Sequence, residues 1–282
     1  MPLHLPPLAD RLGREKDARL LIINCDDLGS SHAANVAIVR ALEKGSATSA
    51  TLMVPCPWAR EAARMSQGLD IGVHLTLTAE YPGYRWRSLT GGASLHDADG
   101  FFPLTAGEAI ARADPEEVGA ECRAQVEQAL SWGVDVAHLD SHMGTVQISP
   151  VLFSIYLDLA EEFRLPLRMV SQRGEEVLGF ASREPAATRG ICFTDHFIDP
   201  WGRDTKEVFE RVLSNLAPGV TEIFAHPVED GPELRGYDLE NPQVRAGDAA
   251  WLTSPEMKAL VAASGAETIS YRPLRELQRR GS

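Results

Sequence analysis

The chain has 282 residues, 44% of them apolar, enough to bury the core of one large α/β domain or two smaller ones. Its 40 acidic residues against 27 basic ones give a net charge of −13, which repels nucleic acid and anionic membranes, and no long basic run offsets it. No stretch is apolar enough for a membrane span, and the proline-containing start lacks the apolar core of a signal peptide, so a cytoplasmic location is expected. The acidic surface keeps the chain soluble and leaves both a monomer and a homodimer open.

Residues 1–18 are polar and read as a loosely attached arm. The run Leu20-Leu21-Ile22-Ile23 then has strand composition and ends abruptly in Asn24-Cys25-Asp26-Asp27-Leu28-Gly29. Side chains alternate along a strand, so two adjacent carboxylates share one pocket only where the backbone turns. Held close together they repel, unless a cation or a shared proton compensates.

Further strands are expected at 48–54, 71–77, 136–140, 166–170, 191–194, 220–225 and 267–271. Helical patterns separate most of them. One runs from a Ser30-Ser31 cap to Gly45, and others cover 57–65, 115–132, 150–163, 205–216 and 255–263. Strand and helix alternating for almost the whole length predict a parallel sheet. About eight such units favour a TIM-like (β/α) barrel of seven to eight strands, distorted or incomplete variants included. A doubly wound dinucleotide fold is disfavoured, because no Gly-x-Gly-x-x-Gly follows the first strand. The expectation is therefore one α/β barrel domain over residues 19–282 behind the arm.

Two segments, about 78–104 and 230–249, lack periodicity and are expected to fold over the site. The first is rich in Gly, Tyr, Trp and Phe, and the second carries Arg235, Tyr237, Arg245 and Asp248. Their aromatic residues suit stacking on sugar rings, and equally a local hydrophobic cluster. The four cysteines, Cys25, Cys56, Cys122 and Cys192, form no Cys-x-x-Cys pair and read as buried free thiols.

In a parallel barrel every strand ends on one face, so polar residues at strand ends are the first functional candidates. Asp26 and Asp27 end the first strand, His74 lies in the third, and His226 follows Ile223-Phe224-Ala225. In His138-Leu139-Asp140-Ser141-His142, alternation puts His138, Asp140 and His142 on one side, and Arg168 sits in another candidate strand. A lone histidine on a strand is more often a core residue than a ligand, and His4, His32 and His96 read as structural or solvated. The conjunction of an Asp pair with histidines at strand ends is harder to explain that way. Carboxylate and imidazole together suit Zn, and also Co, Mn or Fe, and an Asp with two His leaves coordination positions open for catalysis. Asp140 could orient one of the histidines or simply belong to a turn beside Ser141.

The ordered motifs Asn24-Cys25-Asp26-Asp27-Leu28-Gly29 with Asn35, Gly72-Val73-His74-Leu75-Thr76-Leu77, His138-Leu139-Asp140-Ser141-His142 and Glu222-Ile223-Phe224-Ala225-His226-Pro227 resemble the YdjC/ChbG carbohydrate deacetylases, relatives of the NodB-type polysaccharide deacetylases. The resemblance spans about residues 20–275. It implies a barrel-like fold and metal-dependent removal of N-acetyl groups from sugars such as chitooligosaccharides. By the same resemblance Asp27, His74 and His142 are metal ligands, Asp26 the catalytic base, His226 the catalytic acid, and Arg168 the arginine that steadies the base. The implied cofactor is one divalent ion, Zn or Mg foremost, with Mn or Co also admitted, and the implied partner is an N-acetylated sugar. Cys25 stands where Ala is more usual, a packing difference. After His142 the run is Met143-Gly144-Thr145 where many members carry a further His, so no substrate contact is carried over there.

Two alternatives stay open on the sequence: another metal hydrolase such as a phosphoesterase, and a catalytically silent carbohydrate-binding barrel. Little basic charge near the motifs beyond Arg168 weighs against the first, and the presence of both Asp26 and His226 against the second.

Overall fold

The computed structural model describes residues 6–281; His4 and the start of the arm lie outside them. Seven parallel strands form the frame: β1 (Arg19–Leu28), β2 (Ser49–Leu52), β3 (Ile71–Leu75), β4 (Val136–Ser141), β5 (His196–Ile198), β6 (Gly219–Ala225) and β7 (Glu267–Thr268). Their order is β4-β3-β2-β1-β6-β5, with β7 pairing the early part of β1 through Leu20 and Leu21. β2 joins β1 only from Asn24 onward, so β7 fills the edge that β2 leaves free.

The sheet curls on itself. Beyond β4, single parallel bridges run from Leu139 to Leu167 and from Leu167 to Phe193, and the chain then enters β5 beside β6. The strands expected at 166–170 and 191–194 are thus reduced to bridges, and the result is a distorted, incomplete (β/α) barrel. Pro166 has no N–H to give to a ladder, which accounts for the break at the first of them. The pairing strand instead forms at His196–Ile198, three partly buried residues too short to carry a pattern.

Alternation sorts each strand. In β1, Leu21, Ile23 and Cys25 pack outward with Ala34, Ile38 and Ala41 of the helix His32–Lys44. Leu20 and Ile22 point the other way, into a separate cluster with Val220, Cys192, Tyr271 and Leu274 that plugs the end where the strands begin. A short helix, Leu8–Arg11, buries Leu8 and Ala9 in that same plug, so this part of the expected arm is packed down. Above the plug the interior turns polar: Asn24, Asp26, Ser49, Thr51, His74, Asp140, Arg168 and Glu222 are all buried. Gly72 makes room there. A Cβ on it would lie 2.6 Å from the His138 ring, which stacks on Tyr271 at 3.7 Å.

Helices occupy the expected places at His32–Lys44, Ala59–Met65, Pro115–Ser131, Pro150–Glu162, Thr205–Leu213 and Pro255–Ala263. Ser31 caps the first through its hydroxyl, which accepts the Ala34 N–H at 3.0 Å. Segment 230–249 differs from expectation, since it holds the helices Pro232–Tyr237 and Pro242–Leu252, each opened by a proline in its first turn. The second buries Arg245 and Asp248 alongside Trp251 and Leu252, so its inward face is partly charged and shows no apolar repeat. Segment 78–104 does lack regular structure apart from the turn Ala93–Leu95, and its aromatic residues pack together: Tyr81 and Tyr84 lie 4.9 and 5.3 Å from Tyr237. All four cysteines are buried and unpaired. Among the described residues no helix is long and apolar enough to cross a membrane.

Candidate active site and metal centre

The adjacent carboxylates reach one pocket by a bulge. Cys25 pairs with Ala50 and Leu28 with Leu52, so β1 carries one more residue than β2 over this stretch. Asp27 takes the extra turn in a left-handed conformation (φ 67°), which Asp tolerates better than most residues. Gly29 follows at φ 95°, and a Cβ there would sit 3.0 Å from the Ala59 backbone. Asn35 braces the turn: its Oδ1 accepts the Gly29 N–H at 2.8 Å and its Nδ2 donates to Trp58 O at 3.1 Å.

Asp26 is clamped on both oxygens. Arg168 donates from Nη1 to Oδ2 at 2.6 Å and from Nη2 to Oδ1 at 2.8 Å, and Asn24 Nδ2 donates to Oδ1 at 2.8 Å. Burial alone raises a carboxyl pKa, but the Arg168 charge and hydrogen bonds outweigh it and hold Asp26 at about 2. Arg168 also meets Asp140 Oδ2 at 2.9 Å and Glu222 Oε1 at 2.8 Å, and Glu222 in turn accepts from the Tyr271 hydroxyl.

Three other groups converge. Asp27 Oδ1 lies 3.4 Å from His74 Nε2 and 3.3 Å from His142 Nδ1, and the two ring nitrogens are 3.3 Å apart. Each outer nitrogen is occupied. His74 Nδ1–H donates to Asp140 Oδ1 at 2.6 Å, and His142 Nε2–H to Glu80 Oε2 at 2.7 Å. Those bonds turn the free nitrogens toward Asp27 Oδ1, which is buried and has no hydrogen-bond partner. Three acceptors facing one point need positive charge between them, and this donor set of one carboxylate and two imidazoles fits a divalent cation. In the metal-free protein protons on the two imidazoles are the substitute. Burial opposes them, but Asp140 outweighs burial and holds His74 up at about 10, and Glu80 with Asp27 does the same for His142 at about 9.

His226 stands directly after β6, its backbone N–H donating to Asp248 Oδ2 at 2.8 Å. Its ring meets the edges of Trp201 (4.7 Å) and Phe224 (5.3 Å), and burial pushes its pKa down to about 4 against the pull of Asp27. Asp26, Asp27, His74, His142 and Arg168 are thus drawn together, and His226 stands close enough to feel the Asp26 and Asp27 charges. His138 is not brought to the cluster. It lies deeper, stacked on Tyr271, with both ring nitrogens unpartnered and its pKa driven well down by burial.

Two contributors escape sequence reasoning. Glu80 belongs to the segment without periodicity, and Arg245, noted only for composition, donates from Nη1 to Asp27 Oδ2 at 2.7 Å. Its position on a helix, with charge turned inward, leaves no pattern that could have marked it.

A buried one-carboxylate, two-imidazole centre at the mouth of a parallel barrel, beside an arginine-clamped aspartate, defines a class of candidate metal-dependent hydrolases. A sequence model of the YdjC-like family matches residues 20–263, and the chain belongs to that family. A Thermus thermophilus protein named carbohydrate deacetylase is 36% identical over 95% of this chain and 98% of its own length. Another with that name, from Geobacillus stearothermophilus, is 33% identical over 92% and 99%. A crystal structure from Enterococcus faecalis, described as a candidate cellobiose-phosphate cleavage protein, superposes with a TM-score of 0.78 at 26% identity, covering 91% of this chain and 99% of its own.

Proposed function

We propose that this chain is a metal-dependent carbohydrate deacetylase that hydrolyses the acetamide of N-acetylated amino sugars, chitooligosaccharide-like molecules foremost. The observation that carries the reading is the convergence of Asp27 Oδ1, His74 Nε2 and His142 Nδ1 beside an ionised, immobilised Asp26. Asp27, His74 and His142 are the residues that hold the cation. A divalent ion there, Zn or Mg foremost and Mn or Co of the same ligand chemistry, supplies Lewis acidity that lowers the pKa of water from about 15.7 towards about 7.

The remaining chemistry belongs to the side chains. Asp26 is the base that accepts a proton from the attacking water as the new C–O bond forms. Arg168 keeps it ionised and fixes both of its oxygens, so the proton rests there only briefly. The C–N bond then breaks, and an amine leaves poorly unless protonated. His226 is the acid that protonates it; burial lowers its pKa to about 4, so the resting imidazole is neutral and the proton it passes to the leaving nitrogen is one taken up during turnover, from the attacking water. Acetate and the free amino sugar are the products.

Acetate release from N-acetylchitooligosaccharides, measured on the zinc-loaded protein and on Asp26→Asn, tests this. Release by wild type with a roughly 10²–10⁴-fold drop in the variant is expected. Phosphate release from sugar phosphates in place of acetate release would replace the reading by a phosphoesterase, and sugar binding without turnover by a silent barrel.

A further inference from the structure

Asp26 and Asp27 are neighbours, yet their oxygens are treated differently. Both oxygens of Asp26 accept hydrogen bonds, from Arg168 and Asn24. Of Asp27, only Oδ2 does, from Arg245, while Oδ1 faces the two imidazoles alone. Arg245 is itself held in place. Its Nε donates to Asp238 Oδ2 at 2.9 Å, and Asp238 is locked to its own turn by the N–H groups of Glu240 (3.1 Å) and Asn241 (2.8 Å). Its Nη2 lies 3.7 Å from Glu80 Oε1, and the other oxygen of Glu80 holds His142 Nε2. One continuous chain of contacts, Asp27–Arg245–Glu80–His142, therefore links two of the three converging groups from outside. It joins the segment 78–104 to the helix Pro242–Leu252 across the mouth, where Tyr81 and Tyr84 also meet Tyr237.

We propose that Arg245, Glu80 and Asp238 are the positioning residues of the metal centre: they leave Asp27 a single oxygen to offer and set the plane of the His142 ring. The inference rests on the metal reading above. A bidentate Asp27 would use both oxygens and crowd the positions that water and substrate need, and Arg245 prevents this by occupying Oδ2. Glu80, accepting the His142 Nε2–H, commits Nδ1 to the cation side. None of the three is a catalytic residue, since each acts through a ligand.

The test uses chelator-stripped full-length protein and two probes. Zinc affinity is measured by competition with a chromophoric chelator, and the visible spectrum of the cobalt-loaded protein reports ligand number and geometry. Glu80→Gln and Arg245→Lys are each expected to weaken zinc binding about 10–100-fold and to alter the cobalt spectrum at saturation. A general loss of stability would move neither the saturated spectrum nor the affinity of the folded fraction. Folded variants that bind zinc within about twofold of wild type, with superimposable cobalt spectra, overturn the proposal. If Arg245→Lys does not fold, Glu80→Gln carries the test through His142. Wild type that binds neither ion overturns the metal reading and this inference with it, whereas tight binding shared by wild type and variants overturns this inference alone.

Discussion

Asp26 and Asp27 stand side by side, are buried to the same degree, and each faces a buried arginine, yet their surroundings give them different chemistry. Arg168 reaches Asp26 from the segment beyond β4 and takes both oxygens; Arg245 reaches Asp27 from a helix near the end of the chain and takes one. The first carboxylate is a closed, ionised group suited to take up a proton. The second keeps an open oxygen aimed at two imidazoles. Residue type does not separate them; the donors that the fold delivers to each oxygen do.

Exchanging the two carboxylates for amides breaks the comparison most directly. Asp27→Asn is expected to weaken zinc binding on the order of 100-fold and to abolish turnover, whereas Asp26→Asn keeps the metal and loses turnover roughly 10²–10⁴-fold. Metal titration and acetate release on both variants separate the roles, and equal metal loss in both would merge them.

Removing the arginine that closes Asp26 comes next in size. Arg168→Ala leaves Asp26, Asp140 and Glu222 buried without their common partner, and is expected to cost about 3–5 kcal/mol in urea unfolding.

The open side of the comparison has a pH signature. In the metal-free protein His74 and His142 hold protons up to about 10 and 9. A cation must displace both, so about two protons are released per zinc at pH 7, and apparent affinity rises with pH until about 10. Calorimetry in buffers of different ionisation enthalpy counts them. Stability of the metal-free fold runs the other way. The stabilisation from these raised pKa values is fully present below the ordinary histidine value of 6.5 and is lost as pH rises through 9 to 10.

The smallest effect lies in the turn that makes the two carboxylates inequivalent. Asn35→Ala strands the buried Gly29 N–H and removes one of the two hydrogen bonds to the Trp58 carbonyl, and should lower stability by roughly 1–2 kcal/mol with little change in zinc stoichiometry.

What was legible in the sequence follows the same division. Strands with apolar outer faces, such as Leu21, Ile23 and Cys25, announce themselves by composition, and the site residues at their ends follow from topology. Asp26, Asp27, His74, His142 and Arg168 all fall where a parallel barrel opens. The bulge at Asp27 was legible only as a need for a turn, because its extra residue is defined by pairing with β2. The bridges at Leu167 and Phe193 looked like strands, since local composition does not reveal how far a ladder extends. Glu80 and Arg245 were hidden for a different reason. Their helix and loop turn charge inward toward the site, which erases the apolar repeat that marks a buried face.

The most direct measurement of the central claim is the metal content of chelator-stripped protein after reconstitution with Zn, Mg, Mn or Co, for wild type and His142→Ala. About one divalent ion per chain in wild type, lost in the variant, is the expected result for a centre built on Asp27, His74 and His142. Wild type that retains no ion under any of the four conditions, or a variant that retains it as well as wild type, contradicts the claim.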